Sequence, residues 1–234
     1  MSRSTLKYIA IIAMTLDHIS AYFLPIDTPL GFVLRLIGRL TSPIMCYFIA
    51  EGFRFTSDRL KYGLRLFVFA VVSQPAFYFA DTSQPFRLNM LFTLLIGFLM
   101  LCAYEKIKST ALKCIAIMLL LTASYFCDWG IIAPMWILSF RILRDDRKAL
   151  LTAFTLISLM HIIINTVACI ATDLPVYSQL WQAGVLLFIP AIAFYNGKNG
   201  AKGFISKWFF YIYYPLHLAI IGIIRIFALK ILPY

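Results

Sequence analysis

The sequence predicts an all-α, polytopic integral membrane protein of about nine transmembrane helices with a cytoplasmic N-terminus. Three observations carry that prediction. The 234-residue chain is 62% hydrophobic, and its mean hydropathy is +0.87, well above the apolar share of soluble domains. Its apolar runs recur along the whole length, so one anchor on a soluble domain does not describe it. Its basic residues fall into short clusters between alternate runs, which is the pattern that sets membrane orientation.

A 30 Å hydrocarbon core needs about 20 helical residues, and on that measure the spans fall at about 7–24, 30–53, 62–80, 88–104, 111–127, 129–143, 149–171, 177–195 and 208–230. The sixth is the weakest, being short, containing Pro134 and following the tight Cys127-Asp-Trp-Gly130 connection. The first run ends in Leu24-Pro-Ile-Asp27 and carries embedded charges, which is not the pattern of a cleavable signal peptide. No soluble domain, low-complexity linker or internal repeat stands out, so residues 1–234 read as one transmembrane domain.

Loop charge orients the set. With the N-terminus inside, the inner side receives Arg3, Lys7, Arg54, Arg59, Lys61, Arg65, Lys106, Lys108, Lys113, Arg141, Arg144, Arg147, Lys148, Lys198, Lys202 and Lys207. The outer side receives Arg87 and Lys230, and its loops carry Asp27, Asp81, Asp128 and Asp173. Tyr22, Trp129, Trp181 and Trp208 lie near run ends, as aromatic belts do. The net charge of +11 is thereby spread over inner loops rather than gathered on one face, which argues against nucleic acid as a partner. Five scattered cysteines, Cys46, Cys102, Cys114, Cys127 and Cys169, show neither disulfide nor metal spacing and read as small buried residues. A glycine-rich phosphate loop, HExxH, GxSxG and a Cys/His metal pattern are all absent from the sequence.

The polar residues left inside the spans are few. Asp17 and His18 lie side by side about 15 Å into the first span, near the midplane. An Asp there costs roughly 3 kcal/mol to insert. Arg35 and Arg39 sit one turn apart on the next span, roughly 8 and 14 Å from the outer surface, at overlapping depth. Two readings stand. Asp17 can form a buried ion pair with Arg35 or Arg39, or it can steady the imidazole of His18, which then works as a general base. Glu51 lies at the inner end of the second span, where it either pairs with Arg54 or Arg65 or sits at the mouth of a ligand tunnel. The mostly basic rim of Asp58, Arg59, Lys61 and Arg65 beside it either only obeys the positive-inside rule or meets the phosphates of a nucleotide-bearing donor. Tyr213 and His217 are one turn apart around Pro215 at mid-depth of the last span, as packing groups or cavity groups. His161 and Asn165 read as interhelical hydrogen-bonding groups, and Asn89 and the Ser73-Gln74-Pro75 kink as cavity-lining polar groups.

The blocks Lys7-Tyr-Ile-Ala-Ile-Ile-Ala-Met-Thr-Leu-Asp17-His18-Ile and Arg35-Leu-Ile-Gly38-Arg39-Leu-Thr-Ser-Pro43 resemble the TraX family. Shorter pieces extend the resemblance in order: Glu51-Gly52 with Thr56, Tyr62-Gly-Leu-Arg65-Leu, Ser73-Gln-Pro, Asn89, Asp128-Trp-Gly130, Tyr195-Asn-Gly197, Lys207-Trp-Phe-Phe-Tyr211 and Tyr214-Pro215-Leu-His217-Leu. The resemblance implies a multi-pass acyltransferase of the bacterial inner membrane, in contact with lipid. It would take acetyl from cytoplasmic acetyl-CoA, its donor substrate, without a metal. The acceptor would be the N-terminal amine of a pilin subunit or a hydroxyl of an envelope glycan. The implied catalytic set is Asp17, His18, Arg35 and Arg39, with Glu51, Arg54, Arg65, Asn89, Tyr213 and His217 as donor- or substrate-binding positions. The rival reading of the same buried charges is a proton-coupled transporter, against which the lack of paired broken helices counts. A non-catalytic assembly partner that binds a pilin helix is a third.

Overall fold

The computed structural model describes residues 1–83, 86–172, 175–198 and 204–229, with the side chains of 176, 204–207, 228 and 229 left out. Lys202, Lys230 and Asp173, and the side chain of Lys207, which entered the charge argument, lie outside the described residues. Among the described residues the elements are helices: α1 (Arg3–Phe23), α2 (Pro29–Gly38), α3 (Thr41–Phe55), α4 (Arg59–Ala80), α5 (Met90–Lys106), α6 (Thr110–Ser124), α7 (Ile132–Ile142) and α8 (Arg147–Ala171). A 3₁₀ segment, Val176–Leu187, then leads into α9 (Phe188–Ala193) and α10 (Phe204–Leu229).

Among the described residues, four stretches are long and apolar enough to cross a membrane: Pro29–Phe55, Arg59–Ala80, Arg147–Ala171 and Trp208–Phe227. α1 stands outside that set because Lys7, Asp17 and His18 dilute its apolar content. Two of the expected spans differ in form. Residues 30–53 do not make one regular helix, since a turn at Arg39–Leu40 separates α2 from α3. Pro43 follows directly and has no N–H for the Arg39 carbonyl, so a continuous helix would lose a bond there. Residues 177–195 fold as the 3₁₀ segment plus α9. At about 2.0 Å of rise per 3₁₀ residue, that combination reaches farther than the same number of α-helical residues.

Local chemistry starts several of these helices. Ser2, Thr28, Asp58 and Asn89 cap α1, α2, α4 and α5, accepting from the backbone N–H groups of Thr5, Gly31, Lys61 and Leu91. Pro29 opens α2 at the position where a missing N–H costs nothing.

The chain divides into two compact units. The first comprises Met1–Ile44 and Thr155–Leu232. In it α1 packs antiparallel on α2: the Ser20 hydroxyl donates to the Gly31 carbonyl at 2.7 Å and the Thr41 hydroxyl to the Ala10 carbonyl at 3.0 Å. The 3₁₀ segment covers α2, and Gly184 makes that approach possible, since a Cβ there would lie 1.8 Å from the Leu36 carbonyl oxygen. α10 lies beside α1 and parallel to it, because contacts climb both helices together: Tyr8 with Phe209, Thr15 with Tyr213, His18 with His217, and Tyr22 with Arg225. At their common start, Arg3 N–H donates to the Lys198 carbonyl and Asn196 N–H to that of Met1.

The second unit, Met45–Phe154, is built around α5, which contacts α4, α6 and α7. Phe53 and Tyr62 meet Phe98 edge-on, and Trp136, Phe140 and Phe154 form a second aromatic cluster. The tight α6–α7 connection puts Trp129 at φ 66° and Gly130 at φ 46°. It is pinned by Asp128 N–H to the Leu88 carbonyl at 2.7 Å and by the Thr93 hydroxyl to the Asp128 carbonyl. Of the cysteines, Cys46, Cys127 and Cys169 are buried as expected, whereas Cys114 faces outward on α6.

Candidate functional site

Asp17 is buried, and its carboxylate is held from α2 by both arginines. Arg35 Nη1 reaches Oδ1 at 3.0 Å and Arg39 Nη2 bonds Oδ2. The four-residue spacing puts both guanidiniums on one helical face, and Arg39 keeps helical dihedrals as the residue capping α2. Gly38 lies between them for a steric reason. A Cβ at that position would stand 2.3 Å from Asp17 Cβ and 2.7 Å from its Cα, so only glycine lets the carboxylate settle between the two cations. Trp181 completes the cluster from the 3₁₀ segment, with Arg35 4.1 Å and Arg39 4.9 Å from its ring centre and its own N–H given to the Ser178 carbonyl. One carboxylate and two guanidiniums leave a net positive charge, partly offset by the ring face.

His18, the next residue, turns to a different neighbour. Its Nδ1 lies 2.9 Å from His217 Nε2, and its ring stacks on Tyr22 one turn along α1. His217 Nδ1 lies 2.9 Å from the Tyr213 carbonyl, and the His217 ring is sandwiched between a stacked Tyr213 and an edge-on Tyr214. The Tyr213 hydroxyl sits 2.6 Å from that of Thr15. Since Thr15 donates to the Ile11 carbonyl, Tyr213 is the donor in that pair. Along the same α1–α10 seam, Ser4, Lys7, Tyr8, Ile11, Phe209 and Phe210 line a small pocket.

The two readings of Asp17 thus separate. Its carboxylate is spent on Arg35 and Arg39, and the hydrogen-bond partner of His18 is His217. The structure therefore brings Asp17, His18, Arg35, Arg39, Tyr213 and His217 together in one unit. His161 and Asn165, in the same unit, differ: Asn165 donates to the His161 carbonyl within α8 at 2.8 Å, whereas His161 Nε2 lies 3.4 Å from Gln182 Oε1 on the 3₁₀ segment, the contact between elements expected of it.

Glu51, Arg54, Arg65 and Asn89 belong to the second unit. Glu51 is half-buried on α3, Arg54 is exposed beside the Phe55 ring, and Arg65 lies over Tyr62 at 5.1 Å. Asn89 is fully buried and its amide is consumed by the fold. It donates to the Ala70 carbonyl and to Gln74 Oε1, both at 2.8 Å, while its oxygen caps α5. That network ties α5 to α4 just before Pro75, so Asn89 is a structural clasp rather than an open polar wall. Also in this unit, Glu105 bridges Arg59 and Arg141.

The family profile described as TraX protein matches residues 2–225. The chain belongs to the TraX family. A protein of Dichelobacter nodosus named "Probable fimbrial assembly protein FimC, serogroup H1" is 35% identical over 232 residues, covering 95% of each chain. An uncharacterized protein of Rickettsia prowazekii, RP591, is 38% identical over 69 residues, which is 30% of this chain and 24% of that one. No solved structure matches. In this TraX-family chain, sequence reasoning missed three contributors to the site. Trp181 read only as a belt residue, because nothing local links it to arginines some 140 positions earlier. Thr15 carried no signal apart from its place one turn before His18's neighbours. Gly184 likewise looks ordinary until α2 is laid against it. Gly38 was visible inside the Arg35–Arg39 block, although its purpose was not.

Proposed function

We propose that this protein is a multi-pass acetyltransferase of the bacterial inner membrane that moves acetyl from acetyl-CoA to an amine or hydroxyl of an envelope acceptor, with the N-terminus of a pilin subunit as the first candidate. The observation that carries the reading is a half-buried imidazole, His18, set beside a cluster of two arginines and one carboxylate inside a chain of the TraX family. The relative named for fimbrial assembly supports the choice of acceptor.

In the proposed reaction the acceptor amine attacks the thioester carbonyl while His18 takes a proton from the attacking nitrogen. The tetrahedral intermediate collapses, the C–S bond breaks, and the CoA thiolate leaves with the proton that His18 returns. The products are the N-acetyl acceptor and free CoA thiol. Arg35 and Arg39 hold Asp17 in place and set a positive field for the developing oxyanion. The donor arm follows the α1–α10 seam, where Lys7 lies about 16 Å along the helix from His18. Tyr213 and His217 flank the reacting centre.

The test is transfer of labelled acetyl from acetyl-CoA by purified protein to a pilin N-terminal peptide and to an envelope glycan fraction. His18→Ala is expected to lower turnover by about 10²- to 10⁴-fold. Wild-type turnover in that variant would remove His18 from the chemistry. Proton flux without any acetylated product would favour the transporter reading.

A further inference from the structure

Resting on the acetyltransferase reading of His18, we infer that His217 is a positioning residue that fixes the tautomer of His18, so that Nε2 of His18 is the basic nitrogen offered to the acceptor. The inference follows a chain of hydrogen bonds whose directions are forced at one end. A backbone carbonyl can only accept, so the 2.9 Å contact between His217 Nδ1 and the Tyr213 carbonyl requires a proton on Nδ1. In neutral His217 the remaining nitrogen, Nε2, then carries only a lone pair. Neutral is the form that suits the place: His217 is 6% exposed, its neighbours are Tyr213, Tyr214 and His18, and the carboxylate of Asp17 is already shared by Arg35 and Arg39.

The lone pair on His217 Nε2 faces His18 Nδ1 at 2.9 Å, so His18 must supply the proton of that bond from Nδ1. A neutral His18 that donates through Nδ1 has its own lone pair on Nε2. No described residue bonds that nitrogen. When it takes a proton from the acceptor, the new N–H stays on Nε2 and the Nδ1–H bond to His217 persists through the cycle. The ring need neither flip nor exchange tautomers between turnovers. His217 therefore does for His18 what a carboxylate does in a hydrolytic triad, with a neutral acceptor fixed by a backbone carbonyl.

The arrangement also accounts for the packing around His217. Tyr213 stacks on its ring at 5.2 Å with an 8° interplanar angle, and Tyr213 is itself anchored through its hydroxyl to Thr15 on α1. The ring that sets the tautomer is thus held from both helices.

The experiment has two arms. In the first, ¹⁵N-histidine spectra of the full-length protein in lipid nanodiscs, assigned with His18→Gln and His217→Gln, report which His18 nitrogen is protonated. Nδ1–H with unprotonated Nε2 is the expected state, and the opposite tautomer overturns the inference whatever the assay gives. In the second, His217→Gln, whose amide oxygen can still accept, is expected to keep turnover within about threefold. His217→Leu, which cannot accept, is expected to lose about 10- to 100-fold in kcat with KM unchanged. Equal turnover in both variants overturns the positioning role. Should His217→Leu fail to fold, the spectra and His217→Gln decide alone. If instead His18→Ala retains full transfer while the spectra show the expected tautomer, the acetyltransferase role of His18 has failed and the hydrogen-bond chain has not.

Discussion

At the scale of single residues, the ion cluster around Asp17 is asymmetric in a way that makes variants informative. Asp17→Asn removes the carboxylate that Arg35 and Arg39 share beside Trp181, and removing one partner of a buried pair costs about 3–5 kcal/mol. A large drop in thermal stability in detergent is expected, larger than for Arg35→Gln, which leaves Asp17 one cation. Similar losses for the two would show that the carboxylate is not the hub. Asp58 gives a milder pH signature outside the helical spans. The backbone N–H of Lys61 bonds its carboxylate and, with the Lys61 ammonium at 3.0 Å, holds the group below its ordinary value of 3.8. A carboxyl lowered in the folded state contributes stability above that ordinary value and loses it as pH falls through the folded one. The first turn of α4 is therefore expected to fray below about pH 4, read as faster amide exchange at Lys61, and Asp58→Ala should remove the pH dependence. The sequence showed Asp17, His18, Arg35 and Arg39 as costly oddities. It could not say which partner each would choose, because neighbours on a helix point about 100° apart and only the tertiary fold decides which faces which.

At the scale of elements, glycines separate rigid from yielding contacts. A Cβ on Gly184 would meet the Leu36 carbonyl oxygen at 1.8 Å, an obstacle made of backbone, whereas a Cβ on Gly97 would meet the tip of the Ile137 side chain at 2.3 Å. Gly184→Ala should push the 3₁₀ segment off α2 at a cost of about 1–3 kcal/mol, while Gly97→Ala is relieved by a rotamer change at Ile137 and costs less. Comparing melting temperatures of the two variants tests this, and equal losses would contradict it. Because Trp181 rides on the displaced segment, Gly184→Ala should also loosen the stacking on Arg35 and Arg39, visible as a change in tryptophan fluorescence. Helix positions were legible from hydropathy alone, since each expected apolar run contains a helix or a 3₁₀ segment. The break at Arg39–Leu40 was signalled by Pro43 and passed over because the surrounding run is so apolar. The long 3₁₀ stretch had no signal, as it reflects close packing on α2 rather than local preference.

At the scale of the whole molecule, the charge pattern predicts sidedness that labelling can check. With single cysteines in a cysteine-free background, position 27 should react with a membrane-impermeant maleimide in intact spheroplasts, and position 108 only after permeabilisation. The reverse pattern would invert the orientation. What the sequence could not reveal is that the first and last long helices lie side by side and parallel, because no local feature relates residues about 200 positions apart. That neighbourhood sets an order of events during synthesis. α2 leaves the ribosome directly after α1, so Arg35 and Arg39 can neutralise Asp17 while the chain is still being made. His18 has no such early companion. Its partner sits on α10, about 200 positions later, and arrives only after the intervening helices have been made. The histidine pair is thus assembled late, after every helix that separates its two members along the chain has been made.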